Sequence, residues 1–256
     1  MKKNGLKAKL AAGKPVYGAM VQFPDADLVE MLGYAGFDWI LIDAEHGSIN
    51  ENDCLQMVRA CELTDTTSIV RPPNSQPDTI LRFLDRGAQG VQVPHVSTVE
   101  SARAVVNAVR YPPFGKRGLM GATRAASYGF RESIPDFVKF SNEEILLCVM
   151  IEEQEAIRNL PEILKVEGID VFFIGAGDLA AEMGYPGDKN APLVQKAVAQ
   201  AMQYIIGAGK VGGLSCDEKQ IKEFVGAGMQ YFHTTMTPLV KFAANHFWNL
   251  VGERRM

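Results

Sequence analysis

A chain of 256 residues, 47 % of them apolar, has the length and apolar content for one large α/β barrel, a fold for which a length-based count of two domains misleads. A net charge of −4 with dispersed basic residues excludes a nucleic-acid track or a polybasic membrane patch. No apolar stretch reaches the roughly 18 residues of a membrane span, and the polar opening Met1-Lys2-Lys3-Asn4-Gly5 lacks a signal-peptide hydrophobic region, so a soluble cytoplasmic protein is expected.

Short apolar runs alternate with amphipathic stretches along the chain, the pattern of repeated βα units. A strand over Val16 to Met20 precedes a helical pattern over Ala26 to Ala35, and Asp38 to Ile42 precedes Asp53 to Leu63. Thr67 to Val70 is followed by Asp78 to Arg86, and Gly90 to Val93 by Val99 to Val109. After them come Ile145 to Ile151 with Glu155 to Leu164, Val171 to Ile174 with Leu193 to Ala208, and Val211 to Leu214 with Asp217 to Ala227. Tyr231 to His233 is the eighth strand. Eight such strands, each followed by a helix, close into a single-domain (β/α)8 TIM barrel over residues 1–256.

Two stretches depart from the repeat. Tyr111 to Asn142 reads as a long loop rich in Gly, Arg, Ala and Tyr, and long loops in compact domains are functional or mobile. Pro238 to Glu253 carries Phe242, Phe247, Trp248 and Leu250, apolar surface for a last helix that packs on a neighbouring subunit or on its own barrel.

In parallel α/β folds ligands bind at the carboxyl ends of the strands. The residues at those tips are Gln22, then Asp43, Glu45 and His46, Arg71, Pro94 and His95, Glu152 and Glu153, Asp178, and Ser215. The run Trp39-Ile40-Leu41-Ile42-Asp43-Ala44-Glu45-His46-Gly47 is the most pointed case: burying unpaired titratable groups is costly, so a buried strand ending in two acids and a histidine ends there for a reason.

Glu152 and Asp178, on neighbouring tips, suit either of two roles: joint ligands of a hard divalent cation, or caps for the helices that follow them. Arg71, held extended by Pro72-Pro73, fits a substrate carboxylate or a developing enolate oxygen, and equally a salt bridge in the rim. His46 suits a base that an acid orients, or a hydrogen-bonded rim residue; His95 is the weaker candidate, and His233 and His246 read as strand and helix residues. Asp85 reads as an ordinary helix-end residue, although an acid there opposes the helix dipole unless it has a partner.

Cys54, Cys61, Cys148 and Cys216 form no Cys-x-x-Cys pair and read as filler. No strand contains a lysine for Schiff-base chemistry, and Lys116 in the long loop is the one lysine placed to approach the mouth. A metal-stabilised enolate fits these groups better.

Seven segments in order carry a resemblance to a known family: Asp38 to His46, Val70-Arg71-Pro72, Val93 to Val96, Arg110 to Gly118, Ile151-Glu152 with Asn159-Leu160, Val166 to Asp170, and Phe173-Ile174-Gly175 with Asp178-Leu179. The chain resembles the HpcH/HpaI aldolases, metal-dependent class II pyruvate aldolases of the phosphoenolpyruvate/pyruvate barrel superfamily. The resemblance implies Glu152 and Asp178 as ligands of Mg²⁺, Mn²⁺ or Co²⁺, and Arg71 on the keto oxygen of pyruvate. It implies His46, oriented by Asp43 and Asp85, as general base through a water on the cation, and backbone N–H groups of Gly177 and Asp178 on the substrate carboxylate. The resemblance also implies a hexamer, a trimer of dimers that exchange the last helix. Two positions depart from the family: Met150 stands where a glutamine is usual, and Gly175-Ala176-Gly177-Asp178 replaces Gly-Pro-Ala-Asp. Leu119 and Met120 of the long loop are expected near the mouth.

The reading is therefore a carbon–carbon lyase that splits a 4-hydroxy-2-oxo acid into pyruvate and an aldehyde. An oxaloacetate decarboxylase or macrophomate-synthase-like bond former is the second enzyme reading, and a silent keto-acid-binding barrel the non-enzyme one.

Overall fold

The computed structural model describes residues 2–215 and 218–252, with the side chains of Glu218 and Lys219 outside that set; Cys216, Asp217 and Glu253 lie outside the described residues. The strands are β1 (Val16–Val21), β2 (Trp39–Asp43), β3 (Thr67–Arg71), β4 (Gly90–Val93), β5 (Leu146–Ile151), β6 (Val171–Ile174), β7 (Val211–Ser215) and β8 (Tyr231–Thr235). Each pairs in parallel with the next, and β8 returns to β1 with Val16 opposite Tyr231 and Met20 opposite Thr235, closing the barrel.

The two-residue period of the strands divides the apolar residues between two cores. Val16, Met20, Trp39, Leu41, Ile69, Cys148, Met150, Phe173 and Tyr231 fill the lumen. Their neighbours Val21, Ile40, Ile42, Val70, Val91, Val149 and Ile174 face the helices. The same period decides what lies at the tips. Two residues beyond Leu41 stands Asp43, two beyond Ile69 stands Arg71, and two beyond Met150 stands Glu152, so the polar mouth continues the lumen faces.

The helices are α1 (Gly5–Ala11), α2 (Ala26–Tyr34), α3 (Glu51–Leu63), α4 (Pro77–Asp85), α5 (Val99–Val109), α6 (Ile134–Glu144), α7 (Gln154–Ile163), α8 (Ala176–Glu182), α9 (Pro192–Gly207), α10 (Glu218–Gly226) and α11 (Met236–Val251). Three of them, α1, α6 and α8, are absent from the periodicity reading. Asn4 caps α1, whose Leu6 and Leu10 plug the amino-terminal end of the lumen and leave the carboxyl end open.

The connection from α5 to β5 contains α6 and lies at the plugged end, because a helix that follows a strand runs back to the start of the barrel. There Ala125 N–H donates to the carbonyl of Asp85 (3.3 Å) and Lys116 N–H to that of Asn107 (2.7 Å). Lys116, Leu119 and Met120 thus belong to the face opposite this chain's mouth, correcting the expectation that they approach it. No described helix is long and apolar enough to cross a membrane.

Candidate active site

Asp43 and Arg71 end adjacent strands in register, which brings a carboxylate and a guanidinium side by side at the top of the lumen. Arg71 Nε and Nη2 donate to Asp43 Oδ1 (2.8 Å) and Oδ2 (2.7 Å), a two-pronged pair that is almost completely buried. Asp43 also accepts from Gln22 Nε2 (3.1 Å) and from the backbone N–H groups of Glu45 (3.2 Å) and His46 (3.3 Å). Burial alone would push the Asp43 carboxyl up, but the Arg71 bonds and charge outweigh it and hold the acid below its usual range. Burial likewise opposes the Arg71 charge, and Asp43, Glu45 and Glu152 more than restore it.

The turn after β2 is drawn tight against β1. A side chain at Gly47 would stand 2.1 Å from the carbonyl oxygen of Asp43 and 2.5 Å from that of Gln22, so only glycine lets the chain pass. Glu45 points back into the mouth, with Oε2 at 3.1 Å from Arg71 Nε and 3.8 Å from His46 Nε2, and Oε1 at 3.4 Å from His95 Nε2. The His46 ring is more than half exposed.

Glu152 is held from β4. His95 takes the left-handed conformation (φ 58°), uncommon outside glycine, and its N–H donates to Glu152 Oε1 at 2.8 Å. Across β5 and β6, Gly175 leaves room for this acid: a Cβ there would lie 2.7 Å from Glu152 Oε2. Burial pushes the Glu152 carboxyl up to about 7, with Asp178 and Glu45 adding to the rise and His95 opposing it. The His95 ring contacts Glu153 Oε1 (3.0 Å), and Ser97 Oγ donates to Glu153 Oε2 (2.5 Å). Burial disfavours the imidazolium of His95, but Glu152, Glu153 and Glu45 together raise its pKa.

Asp178 is exposed in the first turn of α8, beside the exposed Gly177. The first-turn N–H groups of a helix have no partner within it and face outward toward an anion.

The structure thus gathers Asp43, Arg71, His46 and Glu152 at one mouth, with Asp178 close enough to raise Glu152. It does not bring Asp85 there. As the last residue of α4, Asp85 lies at the plugged end, where Arg117 Nη2 donates to its Oδ1 at 2.9 Å. Within one chain, the expected pairing of Asp85 with His46 is replaced by this ion pair. Asp43 meets His46 through the backbone N–H and not through the ring.

Glu45 and His95, marginal in the sequence, are central in the structure. Period-two counting along β8 would also have found His233, which faces the lumen, stacks on Phe173 at 5.0 Å and meets Trp39 edge-on at 5.8 Å. Burial and the nearby Arg71 charge lower its pKa to about 4. Cys54, Cys61 and Cys148 are buried, and burial raises each thiol, leaving them inert filler as expected. A separate cavity of about 530 Å³ at the plugged end, lined by Lys2, Arg124, Tyr128 and Phe137 among others, contains none of the mouth residues.

Known proteins share the sequence and the fold of this chain. A 4-hydroxy-2-oxo-heptane-1,7-dioate aldolase of Escherichia coli is 41 % identical over 226 residues, 88 % of this chain and 86 % of its own. A hydroxypyruvate/pyruvate aldolase of Sagittula stellata is 39 % identical over 230 residues, 90 % of each chain. The crystal structure of an HpcH/HpaI aldolase/citrate lyase family protein from Burkholderia cenocepacia J2315 superposes with a TM-score of 0.90 at 28 % identity, covering 96 % of this chain and 99 % of that one. The family model for HpcH/HpaI aldolase/citrate lyase matches residues 18–237, nearly the whole barrel: the chain belongs to the HpcH/HpaI aldolase/citrate lyase family.

Proposed function

We propose that the protein is a divalent-cation-dependent aldolase that reversibly cleaves a 4-hydroxy-2-oxo acid to pyruvate and an aldehyde. The observation that carries this is the convergence of a buried Arg71–Asp43 pair, a buried acid at Glu152 and an accessible imidazole at His46 in one mouth. The aldolase activities for which the relatives from Escherichia coli and Sagittula stellata are named support it.

The residues present fit a hard cation. Burial and neighbouring acids raise Glu152 to about 7, the condition that a divalent ion would relieve. Glu152 and Asp178 would hold Mg²⁺, Mn²⁺ or Co²⁺, and the bound ion would supply an electrophile for the keto and carboxylate oxygens of the substrate. Among the described residues no cluster of three or more His, Cys, Asp or Glu is arranged for a metal.

Arg71 presents its remaining N–H groups where charge develops on the keto oxygen, and because Asp43 fixes the guanidinium no reorganisation is required as that charge appears. The Gly177 and Asp178 N–H groups bind the substrate carboxylate. His46 takes the proton of the 4-hydroxyl. The O–H electron pair then becomes the aldehyde C=O, the C3–C4 bond breaks, and its electrons pass into the pyruvate enolate. Proton return from His46 to C3 completes pyruvate and restores the base.

The assembly proposed is a hexamer, a trimer of dimers joined through α11. The chemistry is tested by incubating purified protein with 4-hydroxy-2-oxo-heptane-1,7-dioate under each of the three metals and measuring pyruvate. EDTA abolishes release and added metal restores it; cleavage that persists in EDTA sinks the metal assignment.

A further inference from the structure

We propose that the aldehyde half of the substrate is an uncharged hydroxyaldehyde, and that His95, fixed by Glu153, is the specificity-determining residue that binds its hydroxyl. The proposal rests on the aldolase reading and names the substrate class of that mouth.

Val93-Pro94 ends β4 and sets His95 on the rim between Arg71 of β3 and Glu152 of β5. It is fixed at both backbone and ring. Its left-handed backbone (φ 58°) gives its N–H to Glu152 Oε1 at 2.8 Å, and its ring Nδ1 lies 3.0 Å from Glu153 Oε1. Ser97 Oγ holds the other oxygen of Glu153 at 2.5 Å. A carboxylate only accepts, so Nδ1 is the donor of its bond to Glu153 and Nε2 is the ring atom left to meet a ligand. Nε2 is turned into the mouth: it lies 3.4 Å from Oε1 of Glu45, whose Oε2 lies 3.8 Å from His46 Nε2. One carboxylate thus spans the two imidazoles. Two vicinal oxygens, each with a hydrogen bond of about 2.8 Å to its histidine, cover the same gap. A substrate whose C4 oxygen meets His46 therefore brings an oxygen on C5 to His95.

The charge of the rim separates a hydroxyl from a carboxylate at that place. Around His95 stand Glu45, Glu152 and Glu153, with Asp178 close to Glu152. A divalent ion would offset Glu152 and Asp178, and Glu45 and Glu153 remain. Arg71 closes β3 with two N–H groups on Asp43. Among the described residues that link each strand to the helix outside it, β6 to α9 included, the one lysine or arginine is the exposed Lys189. A charged His95 ring would turn its two N–H groups to Glu153 and Glu45, so its charge is already matched. A carboxylate tail therefore enters against like charge. A hydroxyl adds no charge, and it donates to Glu45 or Nε2 or accepts from an Nε2–H.

The test measures pyruvate release by the metal-loaded enzyme from three acids that differ in the tail. They are 4,5-dihydroxy-2-oxopentanoate, 4-hydroxy-2-oxohexanoate, with a methyl in place of the second hydroxyl, and 4-hydroxy-2-oxo-heptane-1,7-dioate. The dihydroxy acid exceeds each of the others in kcat/KM by about 10-fold, the effect of one hydrogen bond. In H95N, whose asparagine tolerates the left-handed backbone and is shorter than the imidazole, the ratio of dihydroxy acid to hexanoate falls to within about twofold of unity. E153Q keeps the imidazole but weakens its anchor, and lowers the ratio by about threefold. Decarboxylation of oxaloacetate, which involves no aldehyde, reports whether the cation and Arg71 remain in place; where H95N loses it, E153Q carries the comparison. An unchanged ratio in the variant that carries the comparison, or a wild type that cleaves the dioate or the hexanoate faster, overturns the proposal. A wild type that decarboxylates oxaloacetate but cleaves none of the three acids sinks the aldolase reading instead, a failure distinct from the first.

Discussion

At the scale of single residues, the mouth is built from groups whose charge states are set by one another. Asp43 and Arg71 are paired two-to-two in the lumen, where removal of one partner strands a buried charge at a cost of about 3 to 5 kcal/mol. His233, in the same lumen, responds to that charge. Its folded pKa of about 4 lies below the usual 6.5, so the fold holds the ring neutral. Above pH 6.5 neither folded nor unfolded chain protonates it and nothing is lost. Between 6.5 and 4 the unfolded chain gains a proton that the fold refuses, and stability falls by about 3 kcal/mol in total. Chemical denaturation from pH 7 to 4 checks this by difference: the wild type loses about 3 kcal/mol more than H233F across that window, and parallel curves would refute it. In the sequence His233 was a strand residue without distinction, because the charge that perturbs it arrives from β3, far along the chain. His46, Arg71, Glu152 and Asp178 were legible as tip residues, since each stands at the end of an apolar run. Which acid faces which imidazole was not, because periodicity gives a side chain's face and not its partner.

At the scale of elements, the strands were readable because lumen and helix faces alternate strictly, whereas three short helices escaped for identifiable reasons. The α6 segment carried its own signal in Ser133, which caps the helix, and Pro135 in its first turn, but its apolar face buries only Phe137 and Ser141 and so shows little periodicity. Arg110 and Arg117, within the run that carried part of the family resemblance, prove to be scaffold. Arg110 donates to the carbonyls of Ile145 (2.6 Å) and Gly168 (2.9 Å) and to Asp170 (2.8 Å), while Arg117 lies over the Tyr111 ring at 4.7 Å. The α1 plug depends on Asn4, whose side chain accepts from Lys7 N–H (3.1 Å) and donates to the carbonyls of Gln89 (3.0 Å) and Glu144 (2.9 Å). Asn4 is buried, so N4A removes a cap and a donor to the Glu144 carbonyl, while the Gln89 carbonyl keeps the Leu146 N–H, a loss of about 1 to 3 kcal/mol. A lowered Tm with pyruvate-release kinetics unchanged is the expected result; altered kcat would mean that the plug communicates with the mouth.

At the scale of the whole molecule, one end of the barrel is sealed by α1, the other is the reactive mouth, and α11 belongs fully to neither. Its beginning is tied down, with Met236 and Leu239 packed against the β1–β3 side of the barrel. Beyond that, Val240, Phe242, Phe247, Leu250 and Val251 are exposed, each to more than half of its surface. Large apolar side chains gain about 1.5 to 3 kcal/mol each when fully buried, so a helix that leaves five of them in water has a strong driving force to cover them. A second copy of the chain covers them most simply, since the same patch on two subunits is self-complementary about a two-fold axis. Sedimentation velocity decides the matter: the wild type sediments as a multiple of the 28.0 kDa chain, and the variant F247E/L250E, which places charge in that interface, shifts to a smaller species with an unchanged far-ultraviolet spectrum. A wild type that sediments as a single chain at micromolar concentration would show that α11 does not join subunits.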